Sequence, residues 1–442
     1  MNKTLIEKTN LLFLYIGIFC FLFLWDIKSE LFEFRYLIVL PFFTSILVIY
    51  RNNPLKIINE ITIPILIFLH LFILSSYYDF SLNKRDYFGL LYLIIIFLII
   101  KKNKNIIYSN FHKILNYFII LFTLSYIFFF VYSNSDIVLS CYNGWFFRTK
   151  FIFLENSHFA IISVPLINYY SLYFSQLKSL SKKNLILLIF SIIFLLISYS
   201  NFSTTFLVGM ALSQSMIVFK NYFNSKLFFF SVYIITVCIV TLLSYEQCSE
   251  RSFGAIKPIK EFYIFKNTQD LSENEIINID QNKEFNEDFS KFKLQDINMS
   301  MSVETFLVSL EITRKSFFEK PFGVGFNKYY LSHSEYINKI ILSDPDIKKN
   351  NIKDGSTNIS KLITEFGVFG IFIILLLPIF YFRNKKIDNL DFFLLSVISM
   401  QFLRGVGYFN GGFIFAYILL IYKLIYLDNL NFRFLKLWHN SK

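Results

Sequence analysis

Twelve apolar blocks dominate the chain, at residues 10–26, 32–50, 61–78, 86–100, 114–132, 155–176, 184–200, 203–219, 227–245, 358–382, 388–404 and 408–427. Each approaches the roughly 20 residues that a helix needs to cross a hydrocarbon layer. Charged residues are only 17% of the 442, against about 25% in an ordinary globular chain. A water-soluble main body, a disordered chain and a disulfide scaffold are excluded by that balance. The expected fold is an all-α polytopic integral membrane protein of about twelve transmembrane helices, since lipid tolerates only helices and closed barrels.

The net charge of +12 is not a nucleic-acid signature, because its distribution follows the blocks. Residues 245–357 hold 15 Lys and Arg against 18 Asp and Glu, while the rest holds 28 against 13. One set of short loops, including Arg51, Lys101, Lys102, Lys104, Lys182, Lys183 and Lys385, carries 19 cations, and the opposite set carries 7. The cation-rich side is cytoplasmic by the positive-inside rule. Both termini are then expected inside and 245–357 outside. This divides the chain into helices one to nine (1–244), a large extracytoplasmic loop (245–357), and helices ten to twelve with a cytoplasmic tail (358–442). No small-residue cleavage site follows Trp25, so the first block reads as an uncleaved anchor. Cys141 and Cys248 fall in outward loops, where an oxidising compartment allows a disulfide. No C-x-x-C or His-rich tract points to a metal.

A loop as long as 245–357 is usually functional or disordered. Its 266–297 stretch is polar and acidic. Residues 299–319 instead place Val303, Leu307, Leu310, Phe317 and Phe318 at helical spacing, an expected amphipathic helix with Arg314 on its apolar face. Arg314 suits either a snorkelling interfacial role or a grip on a phosphate at the outer surface. Ionisable groups inside or beside spans are costly and tend to be functional. Arg148, Glu155, His158, Glu365 and Arg404 all fall near the outer face of the expected topology. Lys361 and Glu365 are four apart and suited to pair along a helix. His333 lies in the long loop, where a surface position is the plain expectation, and His70 and Asp79 flank the third block without an assigned role.

Four stretches resemble the O-antigen polymerases of bacterial polysaccharide assembly, within the superfamily that also holds the O-antigen ligases. Arg148 to Ala160 is similar to the pattern R-x-x-G-x-F-x-E-P-S-x-F-A, departing at Phe151 and Asn156. Ser302 to Asn327 resembles the family's loop helix and its closing G-x-G-F-N turn. Asp354 to Gly370 is the nearest match, and Arg404 to Phe409 is similar to R-G-x-G-Y-F. The four occur in the expected order and touch about 70 residues. Asp354-Gly355-Ser356 stands where the ligase branch carries a His-Asn pair, and Phe306 or a neighbour stands where it carries an earlier loop arginine. Both departures favour polymerase over ligase.

The resemblance implies a glycosyltransferase at the periplasmic face of the bacterial inner membrane. It would join undecaprenyl-diphosphate-linked repeat units into O-antigen or a similar surface polysaccharide, with no cofactor and no metal. It also implies a chain-length regulator and a flippase as pathway partners. Breaking the sugar C1–O bond leaves charge on the diphosphate, which must be stabilised where it develops. Arg148 and Arg314 are the first candidates for that clamp and Arg404 the third. The attacking hydroxyl needs a base in hydrogen-bond reach, with Glu155 or Glu365 as candidates and His158 or His333 as the alternative. Asn327, Lys361 and Tyr408 complete the expected substrate contacts. The competing readings are an O-antigen ligase, a lipid-linked oligosaccharide flippase and a structural partner in an envelope complex. Short loops and charges near the bilayer midplane would mark the flippase; here one loop is long and the charges gather near one face.

Overall fold

The computed structural model describes residues 3–23, 37, 39, 62–132, 156–177, 181–200, 204–221, 235, 301–340, 348–349, 351–383 and 388–426. Among these it is all-α, with no strand. The helices are α1 (Lys3–Phe23), α2 (Thr62–Tyr77), α3 (Lys84–Tyr132), α4 (Asn156–Ser175), α5 (Lys182–Ser200), α6 (Thr204–Asn221), α7 (Met301–Glu319), α8 (Tyr329–Tyr336), α9 (Asn358–Phe366), α10 (Val368–Arg383), α11 (Asn389–Leu403) and α12 (Phe413–Tyr426).

These twelve are not the twelve expected spans. The blocks at 32–50 and 227–245 lie outside the described residues, apart from single positions. The block at 358–382 is split into α9 and α10 at Gly367. Among the described residues, no helix is long and apolar enough to cross a membrane. Several are simply short: α2 and α10 have 16 residues, α11 has 15 and α12 has 14.

The fourth and fifth blocks form one 49-residue helix, α3, where a non-helical loop was expected. That helix cannot be straight. Tyr92 packs on Phe21, 6.2 Å between ring centroids, and Phe118 packs on Phe23 at 3.8 Å. Phe21 and Phe23 are two residues apart, whereas a straight helix would separate Tyr92 from Phe118 by about 39 Å. The bend has a local cause between the two. Asn103 donates to the Ile99 carbonyl at 3.0 Å, and Ser109 and Asn110 both donate to that of Ile106 at 3.1 Å. Side chains that bond back to carbonyls three or four residues earlier compete with the ladder and curve the helix. The apolar halves thus stay distinct, as the sequence implied, but the connection is helical.

The core gathers α4, α6 and α11 around a buried polar clip, in which Gln214 donates to Asn168 and Asn168 to Ser396. Phe122, Phe159 and Phe194 fill the space between α3, α4 and α5. A capping box of Asp388 and Asp391 starts α11. At the opposite end of α11, residues 404–412 run without helix into α12. It is there, beside α9 and the start of α3, that the motif-bearing segments meet.

Candidate functional site

The site is built on the blunt end of α9. Gly367 closes this helix with φ 57°, which would leave its last carbonyls without donors. The 321–326 turn supplies them. Val324 N–H donates to the Thr364 carbonyl at 3.0 Å and Gly325 N–H to that of Glu365 at 2.8 Å. In return Val368 N–H donates to the Pro321 carbonyl at 2.9 Å. So close an approach requires glycine: a Cβ on Gly367 would stand 1.9 Å from the Pro321 carbonyl oxygen.

Glu365 fastens the same turn with its side chain. It is 0% exposed. Its Oε2 accepts the Asn327 N–H at 2.9 Å and its Oε1 the Tyr329 N–H at 3.2 Å. A buried carboxylate is tolerated when its oxygens are satisfied in this way. Committed to two backbone donors and shut away from solvent, Glu365 is an anchor rather than an open base. Lys328, between the two donors, is also 0% exposed. Its ammonium lies 2.7 Å from Asp86 at the start of α3, donates to the Ser81 carbonyl at 3.1 Å, and sits 4.9 Å over the Phe80 ring. His70 on α2 completes the binding of the turn. Its Nε2 is 3.0 Å from the Phe322 carbonyl, which fixes the proton on that nitrogen, and its ring stacks on Phe366. His70 and Asp79, which flank the third block, are not bonded to each other.

The second half of the site joins the 354–357 turn to the 404–408 segment. Gly405 N–H donates to the Ser356 carbonyl at 2.8 Å, and the Arg404 guanidinium to the Ser356 hydroxyl at 3.4 Å. Lys361, 2% exposed, donates to the Lys353 carbonyl at 2.8 Å and lies 3.3 Å from Asp354. It turns to Asp354 rather than bridging to Glu365, and it stands 4.9 Å over the Tyr408 ring. Tyr408 stacks in turn on Phe326, with centroids 5.7 Å apart.

Three of the four motif stretches therefore interlock, bringing Asn327, Lys361, Glu365, Arg404 and Tyr408 into one knot. Arg148 and Glu155 lie outside the described residues, and His158 is half-exposed near the start of α4. Arg314 departs from expectation. Its side chain is 45% exposed and pairs with Glu311 at 2.8 Å. The buried face of α7 combines apolar Leu307, Val308 and Ile312 with small hydroxyls. Ser309 and Thr313 bond to α9 through Ser360 and Thr364, and Ser316 bonds to Ser332 of α8, while Phe318 is exposed. His333, expected at the surface, is 4% exposed. Burial lowers its proton affinity below the ordinary histidine value, and burial raises that of the neighbouring Tyr329 phenol.

Below the knot lies an apolar slot of about 280 Å³. Ile67, Phe97, Leu362, Phe372, Leu376 and Ile418 are among its walls, Phe326, Phe366 and Tyr408 close its upper end, and Lys101 is the one charged residue in its lining. No pattern in the sequence points to the slot or to the Asp86–Lys328 and His70–Phe322 contacts. Only the Asn83-x-x-Asp86 spacing, which forms reciprocal cap bonds, was available as a helix-start signal. No group of three or more metal-binding side chains occurs among the described residues. Comparisons of the chain with protein-family models, with curated proteins and with solved structures return no match.

Proposed function

We propose that the chain is a polytopic membrane glycosyltransferase that polymerises undecaprenyl-diphosphate-linked repeat units at the periplasmic face of the bacterial inner membrane. The observation that carries this reading is the apolar slot capped by the polar knot. A slot walled by aliphatic and aromatic side chains suits a hydrocarbon chain, and Lys361, 4.9 Å over the Tyr408 ring that closes the slot, places a cation beside that end for a polar head. Lipid as the surrounding solvent is supported by the outward faces of the helices. Phe369, Phe372, Leu375, Ile379 and Phe382 form an exposed stripe along α10, and Leu185, Ile189, Ile192 and Leu196 another along α5. Patches of that extent are unfavourable in water.

In this reading Arg404 stabilises the departing diphosphate, with Arg148 and Arg314 as the further cations. Arginine suits the task because it stays charged and matches phosphate oxygens with a planar fork. Holding two membrane-bound substrates side by side removes translational entropy and supplies much of the rate.

The test uses source cells lacking the chain, which should attach single repeats only. Wild-type protein should restore the polymer ladder, while Arg404→Ala and Arg148→Ala should reach the membrane in normal amount and not restore it. A reporter fused within 266–297 should read extracytoplasmic. A cytoplasmic reading, or full ladders from both variants, would overturn the assignment.

A further inference from the structure

A recess separate from the slot opens between α7, α8 and the 351–355 turn. It is lined by Thr305, Val308 and Ser309 of α7, by Tyr329 and His333 of α8, and by Asn351 and Gly355. Its volume is about 10 Å³, room for a single water-sized group. Four of its polar side chains are almost wholly buried: Thr305 at 6%, Ser309 at 3%, Tyr329 at 1% and His333 at 4% exposed. Ser309 is bonded to the Phe306 carbonyl and to Ser360, and the Tyr329 amide to Glu365. The His333 ring has no hydrogen-bond partner among the described residues. A buried imidazole left open in a recess the size of one hydroxyl is a site for a hydroxyl.

We propose that this recess receives the attacking hydroxyl of the acceptor sugar and that His333 takes its proton. The proposal rests on the glycosyl-transfer reading above. The hydroxyl oxygen forms the new bond to C1 of the donor sugar as the C1–O bond to the diphosphate breaks. The bonding pair leaves with the diphosphate, and the hydroxyl proton passes to the His333 ring and then to solvent. Gly355 walls the recess, and Ser356, the next residue, holds the Arg404 guanidinium. Glu365 fixes Tyr329, whose ring adjoins His333, and its two oxygens are already taken by backbone N–H groups.

His333 is neutral at pH 7 and so able to accept. The titratable groups on the elements packed around it include Glu304 and Glu311 of α7, Tyr329, Glu335 and Tyr336 of α8, and Asp354 of the turn. None of them counters the effect of burial on its ring.

The experiment uses purified full-length protein and, as probe, the lipid-diphosphate-linked glycan pool extracted from source cells that lack this chain. His333→Ala and His333→Gln should both lower the transfer rate by about 100-fold or more, the range of general-base catalysis, with KM for the pool unchanged. Wild-type rate should fall with acid below about pH 6.5 as the imidazole charges, and the variants should lose that limb. A water-holding structural histidine would instead let His333→Gln keep its rate. That outcome, or a loss confined to KM, overturns the proposal while wild-type transfer sustains the broader reading. No transfer by wild type overturns both.

Discussion

The Asp86–Lys328 pair offers the most direct measure of how the site is held. It joins the start of α3 to a turn 242 positions further along the chain, and both side chains are buried, at 2% and 0% exposure. Breaking such a pair from one side costs about 3–5 kcal/mol, because the surviving charge stays buried without a counterion. The two sides should not cost the same. Lys328→Met leaves Asp86 with the Asn83 N–H on Oδ2 and nothing on Oδ1, so it belongs at the upper end of that range. Asp86→Asn leaves Lys328 with the Ser81 carbonyl and the Phe80 ring, so it belongs at the lower end. The double variant removes both charges and should recover at least about 2 kcal/mol relative to the sum of the singles. The assay is thermal unfolding of the detergent-purified chain, where size scaling gives roughly 2 °C or less per kcal/mol. Lys328→Met should melt below Asp86→Asn, and the double variant should lie less far below wild type than the sum of the two single losses. A double variant that melts at the simple sum of the two losses would refute the reasoning, since the charges would then not sense each other.

Three further outcomes follow from the same geometry. Glu365→Gln keeps the shape but turns an amide NH₂ toward one of two backbone donors, a loss of about 1–3 kcal/mol, and hydrogen exchange at the Asn327 and Tyr329 amides should rise while that of α11 does not. Leu376→Trp places a ring in the slot and should abolish saturable binding of radiolabelled undecaprenyl diphosphate to the purified protein, whereas Ile379→Trp on the outward face of α10 should leave it intact. His333 is neutral when folded and takes a proton more readily when unfolded, so stability should be full above about pH 6.5 and fall as the pH drops through it toward the depressed folded value; melting curves from pH 8 to pH 5.5 check this, and His333→Gln should flatten the slope.

The sequence was legible where chemistry is local and silent where it is not. Apolar blocks separated by basic turns told of helices, and the expected turn at Phe322 to Phe326 stands where Val324 and Gly325 donate to the end of α9. Glu365 was found for its rarity inside an apolar block, but its bonds to the Asn327 and Tyr329 amides were not legible. Rarity reports only that burying a carboxylate must be compensated, not whether substrate or backbone N–H groups compensate it. The face of α7 was legible only in part: Leu307 is buried as its spacing implied, while Phe318 and Arg314 are exposed. Ser309, Thr313 and Ser316 pack against the hydroxyls of Ser360, Thr364 and Ser332, a seam of small residues that lets helices approach closely and carries no hydropathy signal. Asp86 with Lys328 and His70 with the Phe322 carbonyl are joined by the fold alone. Nothing at either end of such a pair announces the other.

One segment explains why these contacts cluster as they do. The turn from Pro321 to Tyr329 caps α9 with two backbone N–H groups, gives two more to Glu365, lends a carbonyl to His70 of α2 and sends Lys328 to Asp86 of α3. Three helices far apart in sequence are thus referenced to nine residues of an otherwise polar loop. Phe326 of that turn also closes the slot, and Tyr329 borders the His333 recess. Displacing the turn would open the apolar site and deform the polar one together, because no rigid element stands between them. A chain that must bring a hydrocarbon-anchored donor and a sugar hydroxyl to one point gains from that coupling. The geometry of both pockets is then set by a single segment, fastened by backbone bonds to α9 and by the side chains of Glu365, His70 and Asp86.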